Sequence, residues 1–373
     1  MNAVPTQNKT ILPHEGMPPL DMEGRALSLF EDVRGGLFYI PVGLYWLWLS
    51  IKYRSLTLPT LSNPTITAGG LCGETKTEIL ELLGPTGKKA LAPFVSITVL
   101  SREQALTEGL GKMEKAGIDF PVVVKPNRGR RGSGVRLVRT IDELKQYLQE
   151  FPIGLELIFQ TYVPHEGEAG IFYMRRPGKK SGRIVSLTLK YFPFVTGDGR
   201  RTLRELIQKD KRAGRLPHLY LPRHTDMLEK IIPAGEPFRL VFVGNHCKGA
   251  IFRDGRPYVT PAMEEHFDAI VREMPDFNYG RFDVRFSSLE NLQRGEGFKI
   301  IELNGAGSEA THIWDRKTTL FEAYRGLFDQ IRWAFEIGAE YRKRNYRALP
   351  WLKVLSLYWK ERSLLSLYPA DTM

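Results

Sequence analysis

The segment GRFDVRF, residues 280–286, and the later FKIIELNGAGS, residues 298–308, restrict the fold more than any other part of the chain. Side chains alternate between the faces of a β-strand, so Arg281, Asp283 and Arg285 share one face of the first segment. Glu302 and Asn304 likewise share a face of the second, at the end of an apolar run and just before a glycine-rich loop. If the strands pair, Asp283, Glu302 and Asn304 converge as three oxygen donors with cations beside them. Magnesium suits such a set, because it takes few protein carboxylates and fills its shell with water and nucleotide phosphate. A ladder of cross-strand ion pairs would use the same residues. Since Glu302 lies within IIEL, burial demands a partner for it of either kind.

KPNRGRRGSGV, residues 125–135, puts a lysine at a strand end ahead of a loop containing Gly129, Gly132 and Gly134. Glycine-rich loops bring backbone N–H groups close to phosphates, and Lys125 adds a compact charge. The alternative is a plain basic hairpin turn. No Gly-Lys-Ser/Thr opens a helix here, and GxxGxG is not the dinucleotide order GxGxxG. In QTYVPHEGE, residues 160–168, a strand runs into a linker bearing Glu166 and Glu168. Such a hinge can bond an adenine edge and its carboxylate can hold ribose, although most acidic loops are merely solvated.

The remaining pattern reads as short strands, hairpins and a few helices. Helices are expected at 75–84, 141–151, 201–214 and 318–344, and strands at 120–126, 135–140, 158–164, 171–176, 183–195, 280–288 and 298–304. Segments 120–126 and 135–140 read as one hairpin, and 238–245 with 248–255 as another. This order is α+β, not the regular βαβ alternation of a doubly wound sheet. Residues 1–35 read as a mobile arm. Expected units are 1–70 (arm and aromatic apolar segment), 71–160 (small subdomain with its preceding helix), 161–330 (large subdomain with the metal site) and 331–373 (basic C-terminal helix and tail).

The formal charge of +11 favours an anionic partner, whether nucleotide phosphate, nucleic acid or an acidic membrane. Two cysteines, Cys72 and Cys247, are too few for a disulfide framework, so a reducing cytoplasm is the default. Residues 1–23 lack the apolar core of a secretory signal. LFYIPVGLYWLWLSI, residues 37–51, is uncharged but shorter than the roughly 20 residues a spanning helix needs. Pro41 and Gly43 weaken it as a helix. Its Trp and Tyr content, with Lys52 and Arg54 after it, suits a membrane interface as well as it suits a core segment with a basic end. Residues 341–362 carry seven basic residues against one acid, interleaved with Trp351, Tyr358 and Trp359. Together the two stretches point to a peripheral membrane surface or a lipid-linked substrate.

In order and spacing, these motifs resemble the ATP-grasp superfamily, that of D-alanine–D-alanine ligase and the ATP-binding module of cyanophycin synthetase. The resemblance runs from about Gly69 to about Asp315. FPVVVKPNRGRRGSGV is similar to the family's strand, lysine and glycine loop, GRFDVRF with IIELNGAGS to its paired magnesium strands, and VTGDGRRTLRELI to a segment of the cyanophycin-synthetase branch. It implies two α+β subdomains clamping ATP. Lys125 would then contact the α- and β-phosphates, and Arg130, Gly132, Ser133 and Gly134 would cap them. Gln160, Tyr162 and Val163 would face adenine, with Gln160 standing where the family usually has an acid. Glu168 would hold ribose, Lys76 would be the family's upstream ATP-binding lysine, and Lys190 a further phosphate contact. Asp283, Glu302 and Asn304 would hold two magnesium ions, and Arg281 would stabilise transition-state charge. Gly305 and Gly307 would shape the loop beside the acceptor site. His246 and His312 are open between substrate contact and structure, and Cys247 between pocket and core.

The implied reaction joins a carboxylate, small or lipid-linked, to an amine, or less often a thiol, through an acyl phosphate. The chain departs from the ligase pattern at its start, where about 70 residues stand in place of a substantial N-terminal domain, so the carboxylate is not specified. Rival readings are an ATP-grasp kinase that phosphorylates without ligating and a non-catalytic anion or membrane binder. Nucleic acid is not expected, because converging carboxylates repel phosphates unless metal intervenes. Oligomeric state is left open.

Overall fold

The computed structural model describes residues 13–23, 25–28 and 35–370. Two antiparallel sheets dominate it. The smaller contains β1 (Phe94–Thr98), β2 (Val122–Pro126), β3 (Arg136–Val138) and β4 (Glu156–Thr161), in the order β1-β4-β2-β3. Its β2–β3 hairpin pairs Val122 with Val138 and Val124 with Arg136, as the sequence suggests. The helices Arg102–Lys115 and Ile141–Glu150 cover one face, burying Met113, Leu144 and Tyr147 against Val122, Val124 and Phe159. The other face carries Val123, Lys125 and Gln160 and is turned to a cleft.

The larger sheet starts with β5 (Gly167–Met174) and β6 (Arg183–Tyr191). The expected single strand 183–195 breaks after Tyr191, and β7 (Phe194–Thr196) pairs instead with β8 (Pro237–Arg239). β9 (Ile251–Asp254) joins β6, so the hairpin expected from 238–245 and 248–255 does not form: its halves belong to different sheets. β10 (Tyr279–Phe286) and β11 (Phe298–Asn304) complete the order β11-β10-β5-β6-β9. Strand alternation sends Ala169, Ile171, Leu187, Phe282, Val284 and Phe286 into a core closed by Phe267, Ile270 and Val271 of the helix Pro261–Arg272. The opposite face carries the charged residues.

Thr75 caps the helix Lys76–Leu80 through a reciprocal capping box with Glu78. That helix is shorter than expected, and Gly84 precedes a second helix, Pro85–Ala90. Ile79, Leu80 and Leu83 pack into the core of the larger sheet, so this segment travels with the large unit and not with the small subdomain to which residues 71–160 were allotted. The helix expected at 201–214 is confined to Leu203–Lys209, whereas the long C-terminal one spans Leu320–Lys343 as expected.

The expected arm is anchored where it is described. His14 Nε2 lies 2.7 Å from the Phe192 carbonyl, the Pro18 carbonyl accepts from Tyr191 Oη at 3.0 Å, and Met17 and Leu20 pack on the main core. Residues 1–12, 24 and 29–34 of that expectation lie outside the described residues. Pro41 does not prevent a helix over Ile40–Lys52, because it sits in the first turn, where no intrahelical N–H bond is lost.

The glycines after β11 serve close backbone approach. Ala306 N donates to the Gly69 carbonyl at 3.1 Å and Gly307 N to the Gly70 carbonyl at 2.6 Å. Gly70 has φ of +75°, and a Cβ on it would fall 2.5 Å from the Cα of Gly305. Gly70→Ala is therefore expected to cost about 2–4 kcal/mol, read from urea unfolding, through left-handed strain and backbone overlap together.

Candidate active site

The cleft between the sheets has a volume of about 810 Å³, toward the upper end for small-molecule sites. Its floor is the charged face of the larger sheet. In the β10–β11 register Asp283 stands opposite Glu302 and Arg281 opposite Asn304, which brings the expected trio together. A β-bulge at the Asp283/Val284 step leaves Ile301 out of the pairing. The carbonyl it frees accepts from Lys125 Nζ at 2.9 Å, joining the small sheet to the floor. Lys125 Nζ also donates to Gln160 Oε1 at 2.7 Å, while Gln160 Nε2 donates to the Ala92 carbonyl at 3.2 Å. Gln160 is thus buried and aims the lysine, a role its place in a strand does not advertise. Burial pulls the Lys125 ammonium down to about 8, with the Glu302 carboxylate only partly opposing it.

Asp283 is the centre of the floor. Arg281 grips it with two parallel bonds of 2.9 Å, Lys190 Nζ donates to Oδ1 at 2.9 Å, and Asn304 Nδ2 to Oδ2 at 3.3 Å. Burial disfavours its charge, yet the Arg281 guanidinium and the Lys190 ammonium hold the carboxyl at about 2. Lys190 bridges on to Glu168 at 3.1 Å, and Arg285 Nε reaches that carboxylate at 3.4 Å. Glu168 and Lys190, expected at ribose and phosphate, are thus bound to each other as cross-strand neighbours in the β5–β6 register.

Lys76 Nζ donates to the Gly129 carbonyl at 2.9 Å and pairs with Glu302 at 3.4 Å. Asn127, just after β2, fixes this end of the helix: its carbonyl accepts from Lys76 N and its Oδ1 from Thr77 N. Gly132, with φ of +74°, and Ser133 line the cleft, whereas Gly134, with φ of +70°, lies against Pro126 and Tyr368. Arg130 also lines the cleft and is tied to Glu361 of the C-terminal helix Trp351–Leu365 at 2.5 Å, and to the Leu71 carbonyl at 3.0 Å. The buried Glu361 also accepts from Gly73 N at 2.9 Å, so that helix is latched onto the glycine loop.

Tyr162 and Phe242 pack on the Arg285 guanidinium at 5.5 and 5.6 Å, and Arg285 Nη1 donates to the Val163 carbonyl at 3.0 Å. This braces the connector expected to meet adenine. At the other end Glu309 accepts from Tyr39 Oη and Trp314 Nε1, both at 2.6 Å, and its carbonyl from Arg281 at 3.0 Å. His246 stacks on Trp314 at 4.6 Å and draws the Cys247 thiol below its usual range; both line the cleft. His312 is buried and does not line the cleft; its Nδ1 lies 2.7 Å from Oγ of Ser186, which shares a face of β6 with Lys190. Sequence reasoning missed Arg285 as a brace, Phe242, Glu309, Trp314 and Tyr39. Only Arg285 carried a signal, in its alternation with Arg281 and Asp283.

The donor chemistry decides how magnesium would fit. Among the described residues no group of three or more His, Cys, Asp or Glu forms a cage. Asp283 has both oxygens engaged by Arg281, so a two-ion arrangement through it needs that pair to open. Glu302, about one-third exposed, and the Asn304 amide oxygen are the donors left toward the cleft. Two such oxygens suit an ion that takes the rest of its shell from phosphate and water.

No family model matches the chain, and no curated protein matches it. Solved structures do resemble it. The D-alanine–D-alanine ligase of Bacillus anthracis is 13% identical, with 75% of this chain and 72% of that one covered, at a TM-score of 0.41. The VanG D-Ala:D-Ser ligase of Enterococcus faecalis is 10% identical, covering 73% and 64%, also at 0.41. The bifunctional glutathione synthetase of Pasteurella multocida is 16% identical, covering 68% and 36%, at 0.34. The chain thus spans about a third of the length of the synthetase and just under two thirds of VanG. Two of the three are named as ligases and the third as a synthetase.

Proposed function

We propose that this chain is an ATP-dependent ligase that joins a carboxylate to an amine through an acyl phosphate. The observation that carries the reading is the meeting of cations from both sheets over paired carboxylates. Lys125 of β2 and Lys76 face Arg281, Lys190 and Arg285 of the floor, around Asp283, Glu302 and Glu168. Positive charge exceeds negative there, which suits a polyphosphate, and the carboxylates suit a polyphosphate that carries a cation.

Lys125 and Lys76 bind the α- and β-phosphates, and the loop at Gly132–Gly134 closes over them. Tyr162, Val163 and Phe242 make the adenine wall. Glu302 and Asn304 would hold magnesium, which when bound would supply positive charge beside the phosphoryl group. Arg281 stands beside them, with its guanidinium fixed by Asp283 where charge develops. The substrate carboxylate attacks the γ-phosphorus and the bond to the bridging oxygen breaks, releasing ADP. The amine then attacks the acyl carbon, losing a proton, and phosphate departs with the carbon–oxygen bonding pair. Positioning and charge supply the catalysis, with no protein nucleophile. Glu309, Tyr39 and Trp314 border the end of the cleft where the joined substrates enter.

A product assay tests this. With ATP, magnesium and a mixture of amino acids and dicarboxylic acids, ADP release should require both a carboxylate and an amine, and an amide should accumulate one-for-one with phosphate. A stable phosphorylated product with no amide would make the protein a kinase and overturn the ligase reading.

A further inference from the structure

The helix Ile40–Lys52 is apolar all round. Tyr45, Trp46 and Leu49 pack with Phe335 and Ile331 of the helix Leu320–Lys343. Its other side, continued back through Leu37, exposes Leu37 (62%), Ile40 (53%), Leu44 (62%), Leu47 (53%), Trp48 (52%) and Ile51 (78%). Steps of three and four residues make these one stripe along the helix. The helix Trp351–Leu365 repeats the pattern, exposing Trp351, Leu352, Leu355 and Trp359. Unpartnered apolar stripes of this length are rare on a soluble surface without a purpose.

The two helices border the same flank. Thr57, just beyond the first, donates to the Leu349 carbonyl at 2.6 Å, next to the start of the second. Tyr39 at the other end of the first and Tyr358 of the second both line the cleft. Basic groups accompany both stripes. Lys52 Nζ sits 5.2 Å over the Trp48 ring, the Arg362 guanidinium 5.8 Å from the Trp359 ring, and Lys353 and Lys360 share the second helix. Aromatic rings beside lysine and arginine, on apolar helices that end in water, match the boundary between lipid headgroups and acyl chains. A chain carrying +11 favours that boundary where the lipids are anionic. Among the described residues no helix is long and apolar enough to cross a bilayer, so the contact lies in the plane of the surface.

We propose that these two helices dock the protein on an anionic lipid bilayer, with the cleft opening at the docked flank. Sedimentation with vesicles of phosphatidylcholine, with and without phosphatidylglycerol, tests this in the full chain. Binding is expected to the anionic vesicles, to weaken as salt rises, and to be at least tenfold poorer on pure phosphatidylcholine. Leu44→Gln, Leu47→Gln and Ile51→Gln together keep the charge and alter only exposed positions. They should weaken binding more than about a hundredfold, since each buried aliphatic side chain is worth about tenfold or more. Unchanged thermal unfolding and near-ultraviolet dichroism would show that the variant is folded. A second variant, Lys353→Gln with Lys360→Gln, should reduce the salt dependence. Equal binding to both vesicle types, or none at low salt, overturns the proposal. If the wild type instead self-associates and the glutamine variant is monomeric, the face joins two copies of the chain and the lipid assignment is wrong.

Discussion

Asp283→Asn is expected to cost about 3–5 kcal/mol of folding stability. The buried carboxylate balances the buried Lys190 and Arg281 at the edge of the cleft, and asparagine leaves these two cations beside each other without their shared counter-charge. Glu168 balances only part of that, because it already faces Arg285. Asn304→Ala, which removes one long hydrogen bond at the edge of the network, should cost only about 0.5–1.5 kcal/mol. The pH profile gives an independent reading. The folded Asp283 pKa is depressed to about 2 from an ordinary value near 3.8, so its contribution is complete above the ordinary value and is lost as pH falls through about 2. The variant should lack that part of the acid transition. Urea unfolding at neutral pH reads the main effect, and a cost below about 1 kcal/mol would mean that the network is not formed.

Lys125→Met should weaken Mg·ATP binding by about 30- to 150-fold, the worth of a buried charge-assisted contact of about 2–3 kcal/mol. The fold should be less affected, because methionine keeps the stem and removes a charge that burial already disfavours. The same residue sets a pH dependence. Only the ammonium form attracts phosphate, and the free protein loses that proton at about 8. Affinity should be flat below pH 7 and fall as pH rises beyond about 8, approaching tenfold per unit. Lys125→Arg, whose side chain stays charged, should abolish this fall whatever it does to affinity.

The strands that build the site were legible because period-two alternation was strong and local. Arg281, Asp283 and Arg285 on one face, and Glu302 with Asn304 on another, needed only the antiparallel pairing that β10 and β11 adopt. The magnesium reading of that face was less readable. Sequence shows that Asp283 and Glu302 need partners, but Lys190 and Lys76 reach them from β6 and from a helix far away in the chain. The 238–255 hairpin failed for a related reason. Both halves have strand propensity, and their partners, β7 and β6, lie upstream and were chosen by packing. Glu309, Trp314 and Tyr39 left no trace, since Glu309 and Trp314 meet across an irregular segment and Tyr39 reaches Glu309 from 270 positions away. The 37–51 stretch admits both a core and an interface reading because one side of it is buried and the other is not: Leu49 is fully buried while Leu44 and Ile51 face water. Gln160, expected to face adenine, lines the cleft with its amide held between Lys125 and the Ala92 carbonyl, contacts that its place in a strand does not show.

The central claim is that the cleft binds ATP together with magnesium, with Lys125 as a principal contact. Calorimetric titration of Mg·ATP into the wild-type chain and into Lys125→Met, both at pH 7, tests it most directly. The account predicts one-to-one binding by the wild type that fails when magnesium is withheld, and the loss stated above in the variant. No heat and no saturable binding by a folded wild type at millimolar Mg·ATP would contradict it, as would equal affinity in the two proteins.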